Sequence, residues 1–230
     1  RHNTIEGGNM RNAIPREAVA YIAVPANKVS KAKKHVQKVT AEVKSEYKPI
    51  DPGVEVYFTK SEGAKKCIPA EVAVKAMQAV YACPCGVDRM SLVMDNLVDT
   101  SNNLAIVKSE KGKIIVRTLM RGSCDTAKAD LSEAIRAVFE LAGAKVAFSG
   151  GYSGWQPNME SPILKTMKET YKNLYGVEAD VKAIHAGLEC AIISNNYPHW
   201  DMISCGPTLM SPHSPEERVL IPTVEKWWNF

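Results

Sequence analysis

Hydrophobic positions follow two different periods along the first 150 residues. Alternating apolar and polar positions or short apolar runs predict β-strands, and apolar positions three to four residues apart predict amphipathic helices. The predicted strands span residues 16–24, 54–59, 92–98, 105–107, 113–120 and 145–148. The predicted helices run from a cap at Asn27 or Ser30 to about 47, from 69 to about 81, and from a cap at Asp125 or Thr126 to about 142. This succession predicts an α+β fold, compatible with a ferredoxin-like sheet that is covered on one face and carries an inserted hairpin.

The pattern changes at residues 149–154, where three glycines in six residues indicate a domain boundary. A helix capped by Ser161 and ended by Gly176 is predicted next. Short strands at 181–184 and 201–205 and a final helix from about 223 complete what resembles half of a doubly wound layer. We therefore predict one domain over 1–150 and a second over 151–230, and we expect the second to need a partner segment.

Composition and charge narrow the class of protein. The chain has 230 residues, 45% hydrophobic and 23% charged, with a net charge of +4. This profile favours a globular protein without a nucleic-acid partner, and the lysine-rich stretch 28–48 is interpreted as a solvated helix face. No apolar run approaches the ~20 residues of a membrane span. Six scattered cysteines predict reduced thiols in the cytoplasm, and a first residue other than Met predicts a processed or excised piece.

Three polar residues stand where binding chemistry could occur. His213 follows the predicted strand 201–205 in a polar, proline-flanked loop, and neutral imidazole is a common metal ligand. Arg121 closes the predicted strand 113–120, and its planar guanidinium suits a carboxylate. Asn12 precedes the first predicted strand and can both donate and accept hydrogen bonds. From the residues alone, a surface-loop histidine and a turn-forming asparagine remain open interpretations.

Five sequence blocks occur together in one order. They are Met10-Arg-Asn-Ala-Ile-Pro-Arg-Glu17, Gly154-Trp-Gln-Pro157, His185-Ala-Gly-Leu-Glu-Cys190, Asp201-Met-Ile-Ser204, and Gly206-Pro-Thr208 followed by Pro212-His-Ser-Pro-Glu-Glu-Arg218. This set resembles the aminoacylhistidine dipeptidases of bacteria, carnosinase-like enzymes in the aminoacylase and carboxypeptidase group of di-zinc peptidases. The resemblance extends over nearly the whole chain and is densest in the last 80 residues.

The resemblance implies a catalytic domain that is interrupted by a lid domain, and the lid mediates dimerisation. It assigns residues 1–150 to the lid and 151–230 to the C-terminal portion of the doubly wound zinc-peptidase catalytic domain. The resemblance implies that the family's His-x-Asp motif, bridging Asp and Glu-Glu pair lie in a segment earlier than these 230 residues. We therefore expect an inactive fragment of a homodimeric, cytoplasmic dipeptidase that acts on dipeptides of the aminoacyl-histidine type.

The resemblance also implies roles for single residues. His213 matches the metal ligand from the family's C-terminal segment, so that this chain would supply one ligand to a site holding two zinc ions. Arg121 matches the lid arginine that clamps the C-terminal carboxylate of the substrate. Asn12 matches the lid asparagine at the substrate end of the Asn-x-Ile-Pro strand, and Gly187 lies in a glycine turn near the substrate. The general base lies outside the 230 residues, so no catalytic residue is expected within them.

Two further residues are added on their chemistry. Glu189 could attract a cationic group of the substrate, or it could be an ordinary acidic residue at a helix N-terminus. His185 could contact the substrate or could be a structural histidine. Two other hypotheses compete with a dipeptidase: a dimerisation module that has lost its metal site, and a thiol enzyme that uses Cys190 near His185.

Overall fold

The computed structural model describes residues 2–61, 67–156, 158–183, 189–212 and 216–230. Its fold is mixed α/β. The strands are β1 (His2–Gly7), β2 (Ala18–Ile22), β3 (Gly86–Met90), β4 (Val98–Glu110), β5 (Lys113–Gly122), β6 (Leu209–Met210) and β7 (Arg218–Val219). The helices are α1 (Val29–Tyr47), α2 (Ala70–Ala82), α3 (Asp125–Leu141), α4 (Pro162–Tyr175), α5 (Glu189–Asn196) and α6 (Pro222–Asn229). None of the helices in these described ranges combines the length and apolar character needed to span a membrane.

The chain divides into two compact units, and β4, β5 and α3 each run from one unit into the other. The first unit consists of Arg1–Pro84, Asn103–Leu119 and Ile135–Lys145. The second unit consists of Cys85–Asn102, Met120–Ala134 and Val146–Phe230. The division of the parent protein into domains at residue 150 stays a prediction.

The strands β1 to β5 form one antiparallel sheet. β1 pairs with β2 from Gly7↔Ala18 to His2↔Ile22, and it pairs with β4 at Glu6↔Lys108 and Gly7↔Val107. β3 pairs with β4 from Gly86↔Asn102 to Met90↔Val98, and β5 also pairs with β4. The strand order β2-β1-β4-β3 places β2 at an edge, and all five of its residues are exposed.

Helix α3 buries the apolar face that its sequence predicts. Leu131, Ile135 and Phe139 recur at intervals of four residues and are 2%, 3% and 9% exposed. Helix α1 also forms as predicted, but it buries no residue, and its apolar Val29 and Val39 remain 43% and 40% exposed. The spacing of apolar residues therefore predicts both helices correctly. Whether a helix buries its apolar face depends on what packs against it.

Helix α4 has both of its predicted end signals. The Ser161 side chain accepts a hydrogen bond from the N–H of Leu164 at 3.1 Å, as an N-cap residue does. Gly176 ends the helix in the left-handed region with a φ of 71°, where a residue without Cβ meets no steric cost. The predicted hairpin at Lys111–Gly112 is also confirmed, since both residues have positive φ between β4 and β5.

The structure corrects the predicted strand at 92–98. Residues 92–97 form the turn between β3 and β4, and β3 itself was not predicted. The Ser91 hydroxyl accepts hydrogen bonds from the N–H groups of Val93 and Met94, both at 3.2 Å. Asn96 has a φ of 58°. These local bonds and the left-handed asparagine turn the chain, although most of the residues at 92–98 are apolar.

Four further predicted strands, at 54–59, 145–148, 181–184 and 201–205, have no partner strand among the described residues. Residue 184 lies outside those residues. A strand is defined by hydrogen bonds to a neighbouring strand, so an apolar run without such a neighbour does not become one. The predicted strand at 16–24 is confirmed in shortened form as β2, whereas its partner β1 was not predicted.

Candidate functional site

Asn12 lies in the connection between β1 and β2, in the first unit. Gly8 begins this connection with a φ of 69°, and a Cβ there would overlap the carbonyl oxygen of Ala105 on β4. The N–H of Gly8 donates to the carbonyl oxygen of Glu17 at 3.3 Å. Only glycine permits both the positive φ and the close approach to β4. The start of the connection is therefore pressed against the sheet.

The turn that contains Asn12 is also bound to β4. The side-chain amide nitrogen of Asn103 donates to the carbonyl oxygens of Arg11 and Ala13, at 3.0 and 2.8 Å. The Asn12 side chain is exposed and has no hydrogen-bond partner within the described ranges. The backbone on either side of Asn12 is thus restrained, while its amide is left available for another molecule.

Arg121 lies near the C-terminal end of β5, in the second unit. Its side chain is exposed and has no ion-pair partner among the residues that the structure describes. The chain that follows is tightly packed, because Gly154 lies so close to Gly122 and Ser123 that a Cβ would overlap both of their carbonyl oxygens. A guanidinium without a partner on a fixed strand end is able to bind a carboxylate.

Asp99 is the buried centre of a hydrogen-bond network beside this strand end. It is 4% exposed, and it accepts hydrogen bonds from Arg89 Nε at 2.8 Å, from the Thr100 hydroxyl at 3.1 Å and from the Ser123 hydroxyl. Burial alone would raise the pKa of Asp99, but the hydrogen bonds from Ser123 and Arg89 hold it below its usual range. The network therefore attaches residue 123 to β4 through an ionised carboxylate.

Cys124 immediately precedes helix α3, and sequence reasoning did not select it. Its pKa is lowered to about 7 by the Thr126 hydroxyl, the backbone N–H of Ala127 and the Arg89 side chain. The sulfur lies 3.1 Å from the Thr126 hydroxyl oxygen. A cysteine before a helix start was a signal in the sequence, since helix N-termini stabilise thiolates. The contribution of Arg89, 35 positions earlier, was not visible there.

Asp125 and Lys128 at the start of α3 hold the glycine-rich segment 149–154. Asp125 accepts hydrogen bonds from the backbone N–H of Gly154 at 3.0 Å and from Lys128 Nζ at 2.8 Å. Lys128 Nζ also donates to the carbonyl oxygen of Tyr152 at 2.6 Å. Burial opposes ionisation of Asp125, but Lys128 and Gly154 keep its pKa below the usual range. This segment, predicted from its glycines as a boundary, is therefore bound to the start of α3.

Glu189 is the first residue of α5 in the second unit, and it is exposed. Helix α5 is anchored by Ala191, which is fully buried. An acidic residue in the first turn is also favourable for the helix dipole, so both interpretations of Glu189 remain possible. The neighbouring Cys190 is half-buried, and its proposed partner His185 lies outside the described residues.

The second unit also contains a cavity of about 450 Å³. Its wall is largely apolar, and it includes Trp155, Leu164, Met167, Trp200 and Met202. Of the described candidate residues, neither Arg121 nor Glu189 lines it.

Asp201 forms a polar part of the cavity wall. It accepts hydrogen bonds from the Ser161 hydroxyl at 2.7 and 2.8 Å and from the N–H of Ile163 at 2.9 Å. These donors, the Ile163 N–H above all, hold the pKa of Asp201 below its usual range. Asp201 therefore fixes residues 201–205 to the start of α4.

Comparisons with known proteins agree on one kind of protein. Residues 1–51 match the model of the peptidase dimerisation domain. Over 97% of its length the chain is 36% identical to the cytosol non-specific dipeptidase of Escherichia coli, of which it covers 46%. The whole chain superposes on the crystal structure of aminoacylhistidine dipeptidase from Vibrio alginolyticus with a TM-score of 0.91, at 35% identity and covering 47% of that protein.

The chain is homologous to about half of a dipeptidase. The family resemblance predicted from the five sequence blocks is confirmed, and so is the fold class, a mixed α/β arrangement that matches an aminoacylhistidine dipeptidase. The chain spans about half the length of the relatives that it matches.

Three residues predicted for the dipeptidase site, His185, Gly187 and His213, lie outside the described residues. Asn12 belongs to the first unit, whereas Arg121 and Glu189 belong to the second. The described residues contain no group of three or more His, Cys, Asp or Glu side chains that could hold a metal ion. The described part of the chain therefore does not by itself provide the ligand set that a zinc site needs.

Proposed function

We propose that the chain is part of a dipeptidase of about twice its length, which hydrolyses the peptide bond of dipeptides. The observation that carries this proposal is 36% identity to a dipeptidase over 97% of the chain, together with the structural match to a second one. The names of these relatives differ in the substrates they suggest. We favour dipeptides of the aminoacyl-histidine type, because the five sequence blocks resemble that group.

In this proposal, Arg121 binds the C-terminal carboxylate of the dipeptide. An exposed guanidinium without an ion-pair partner among the described residues supports the assignment, because a bidentate pair with a carboxylate would satisfy it. Asn12 hydrogen-bonds the substrate from the restrained turn between β1 and β2. Gly187, Glu189 and His185 are the further residues that we assign to substrate contacts.

Zinc is the proposed cofactor, with two ions in each active site and one ligand, His213, from this chain. The remaining His and carboxylate ligands would come from the half of the dipeptidase that this chain does not span. The metal would supply an activated water for peptide hydrolysis. The 230 residues alone are accordingly expected to be inactive.

We further propose that residues 1–150 form a lid through which two copies dimerise, and that residues 151–230 belong to the catalytic domain. The match of residues 1–51 to a peptidase dimerisation domain supports this, as does the exposed edge strand β2 within that range. The proposed location is the cytoplasm, because one relative carries the name cytosol non-specific dipeptidase.

A dimerisation module without a metal site is the alternative function. It is favoured by the match of residues 1–51 to a peptidase dimerisation domain. Zinc content separates the two functions, because the module would bind no zinc even in the longer protein.

Kinetics of Arg121 variants test the substrate assignment in the dipeptidase-length protein. Arg121→Ala removes the charged partner of the substrate carboxylate. Its kcat/KM should therefore fall by a factor equivalent to about 2–4 kcal/mol of transition-state stabilisation. Arg117→Ala is the matched control, since Arg117 is exposed on the same strand four residues earlier. A change of less than threefold in Arg121→Ala, or an equal loss in Arg117→Ala, would refute the carboxylate clamp.

Zinc stoichiometry tests the metal assignment in the same protein. His213→Ala should bind less zinc than the parent, because one ligand of the site is lost. His199→Ala, a second histidine of the C-terminal region, should retain the parental zinc content. Unchanged zinc content in His213→Ala would remove His213 from the site.

A further inference from the structure

Asn103 on β4 reaches across 90 positions of sequence to the turn that carries Asn12. Its amide nitrogen donates to two backbone carbonyls, that of Arg11 at 3.0 Å and that of Ala13 at 2.8 Å. These carbonyls belong to the residues on either side of Asn12. A single side chain therefore holds both flanks of the residue that we assign to substrate binding.

The chemistry of this contact requires a primary amide. Both acceptors are carbonyl oxygens, so two N–H donors on one atom are needed, and an Asn side chain offers them on Nδ2. Aspartate has the same size and shape but only acceptor oxygens when ionised, and these would face the two carbonyl oxygens. Asn103→Asp thus removes both hydrogen bonds without changing the volume of the side chain.

Other bonds within the turn are weak. The N–H of Ala13 donates to the carbonyl oxygen of Met10 over 3.5 Å, the outer limit of a hydrogen bond. Gly8 and Glu17 close the ends of the connection, but they lie four or more residues from Asn12. Asn103 is therefore the main restraint on the backbone at residues 11–13 within the described structure.

We propose that Asn103 is a positioning residue for substrate binding, which holds the turn at residues 11–13 so that the Asn12 amide is presented in one conformation. This inference rests on the proposed role of Asn12. Asn103 itself does not touch the substrate in this account, because both donors of its amide are used by the turn. A preorganised binding group avoids the entropy cost of ordering the turn when the substrate arrives.

Trypsin cleavage after Arg11 measures the restraint directly, because the protease needs the turn to open. In the dipeptidase-length protein, loss of two hydrogen bonds should increase the cleavage rate after Arg11 about tenfold in Asn103→Asp. Asn173→Asp makes the same chemical change on the exposed surface of α4 and should leave the rate unchanged. An unchanged rate in Asn103→Asp would overturn the restraint.

A double-mutant cycle with Asn12 tests whether the restraint acts through that residue. Asn103→Asp should lower kcat/KM about tenfold in the parental background and less than about twofold in the Asn12→Ala background, because coupled residues are not additive. Equal losses in both backgrounds would show a general structural effect and overturn the positioning role.

The two measurements separate the inference from the proposed function. If Asn12→Ala retains full kcat/KM, or the protein hydrolyses no dipeptide, the role of Asn12 fails, and the positioning role of Asn103 in substrate binding fails with it. If Asn12→Ala loses activity while Asn103→Asp changes neither trypsin cleavage nor kcat/KM, the inference alone fails.

Discussion

Replacing Asp99 with asparagine removes one negative charge from the centre of the network beside β5. The side chain of Asp99 is 6% exposed, and its partner Arg89 is 39% exposed. Asparagine keeps the shape, and its amide oxygen can face Arg89 while its nitrogen faces the Ser123 hydroxyl. The loss is therefore that of charge-assisted hydrogen bonding and not of packing.

The magnitude follows from the number and kind of hydrogen bonds. Bonds to a charged group contribute about 1.5–3 kcal/mol each, and partial exposure of Arg89 reduces this, so Asp99→Asn should lower the free energy of unfolding by about 2 kcal/mol. Asp99→Ala also leaves Arg89, Thr100 and Ser123 without their acceptor and should cost about 3–4 kcal/mol. With a urea m value of about 2 kcal/mol/M, the unfolding midpoint should fall by about 1 M in Asp99→Asn and by about 1.5–2 M in Asp99→Ala.

Urea unfolding at neutral pH is the assay, and Asp95→Asn is the control, since Asp95 is exposed in the turn before β4. The folded pKa of Asp99 is lowered, so its contribution to stability is present above the ordinary aspartate pKa and is lost as pH falls through the folded value. The difference between parent and Asp99→Asn should therefore shrink below about pH 4. A shift no larger than that of Asp95→Asn, or a difference that persists in acid, would refute the reasoning.

Three other substitutions or reactions test separate features. Gly8→Ala should lower the free energy of unfolding by about 2–4 kcal/mol, because the new Cβ overlaps the Ala105 carbonyl oxygen and φ is positive. Cys124 should react with iodoacetamide at a rate that is half-maximal near pH 7, and faster at that pH than the exposed Cys85. Asp201→Ala should lower the urea midpoint of unfolding, through the lost hydrogen bonds at the start of α4.

Each of these predictions has a discriminating variant. Gly112 also has a positive φ, but a new Cβ there meets open space. Gly112→Ala should therefore lower the free energy of unfolding less than Gly8→Ala does. Equal losses would contradict the overlap with Ala105. Thr126→Val should move the alkylation midpoint of Cys124 to higher pH, and an unmoved midpoint would contradict the hydrogen bond. Asp201→Asn retains one acceptor oxygen and should cost less than Asp201→Ala.

Local sequence signals predicted the elements that depend on local contacts. Helix α3 follows from Leu131, Ile135 and Phe139 at four-residue spacing, and α4 follows from Ser161 at one end and Gly176 at the other. The predictions of strands at 145–148 and 201–205 were wrong, because a strand needs a hydrogen-bonding neighbour. The local sequence of an apolar run does not show whether such a neighbour exists.

The candidate site depended on contacts that no local pattern contains. Asn12 and Arg121 were selected on their chemistry and on the family resemblance. Asn103 binds the turn around Asn12 from 91 positions away, and Asp99, 22 positions before Arg121, binds Ser123 just after that arginine. Neither Asn103 nor Asp99 was selected from the sequence. Pairing of a donor with an acceptor across such separations is set by the sheet, so only the three-dimensional structure brings them together.

Hydrolysis of a histidine-containing dipeptide with added zinc tests the central claim most directly. The 230-residue chain and the dipeptidase-length protein are assayed side by side under the same conditions. The account predicts hydrolysis by the longer protein and none by the 230-residue chain, because in the proposed zinc site the chain supplies one ligand and the other half of the longer protein supplies the rest. Hydrolysis by the 230 residues alone, or no hydrolysis by the zinc-loaded longer protein, would contradict it.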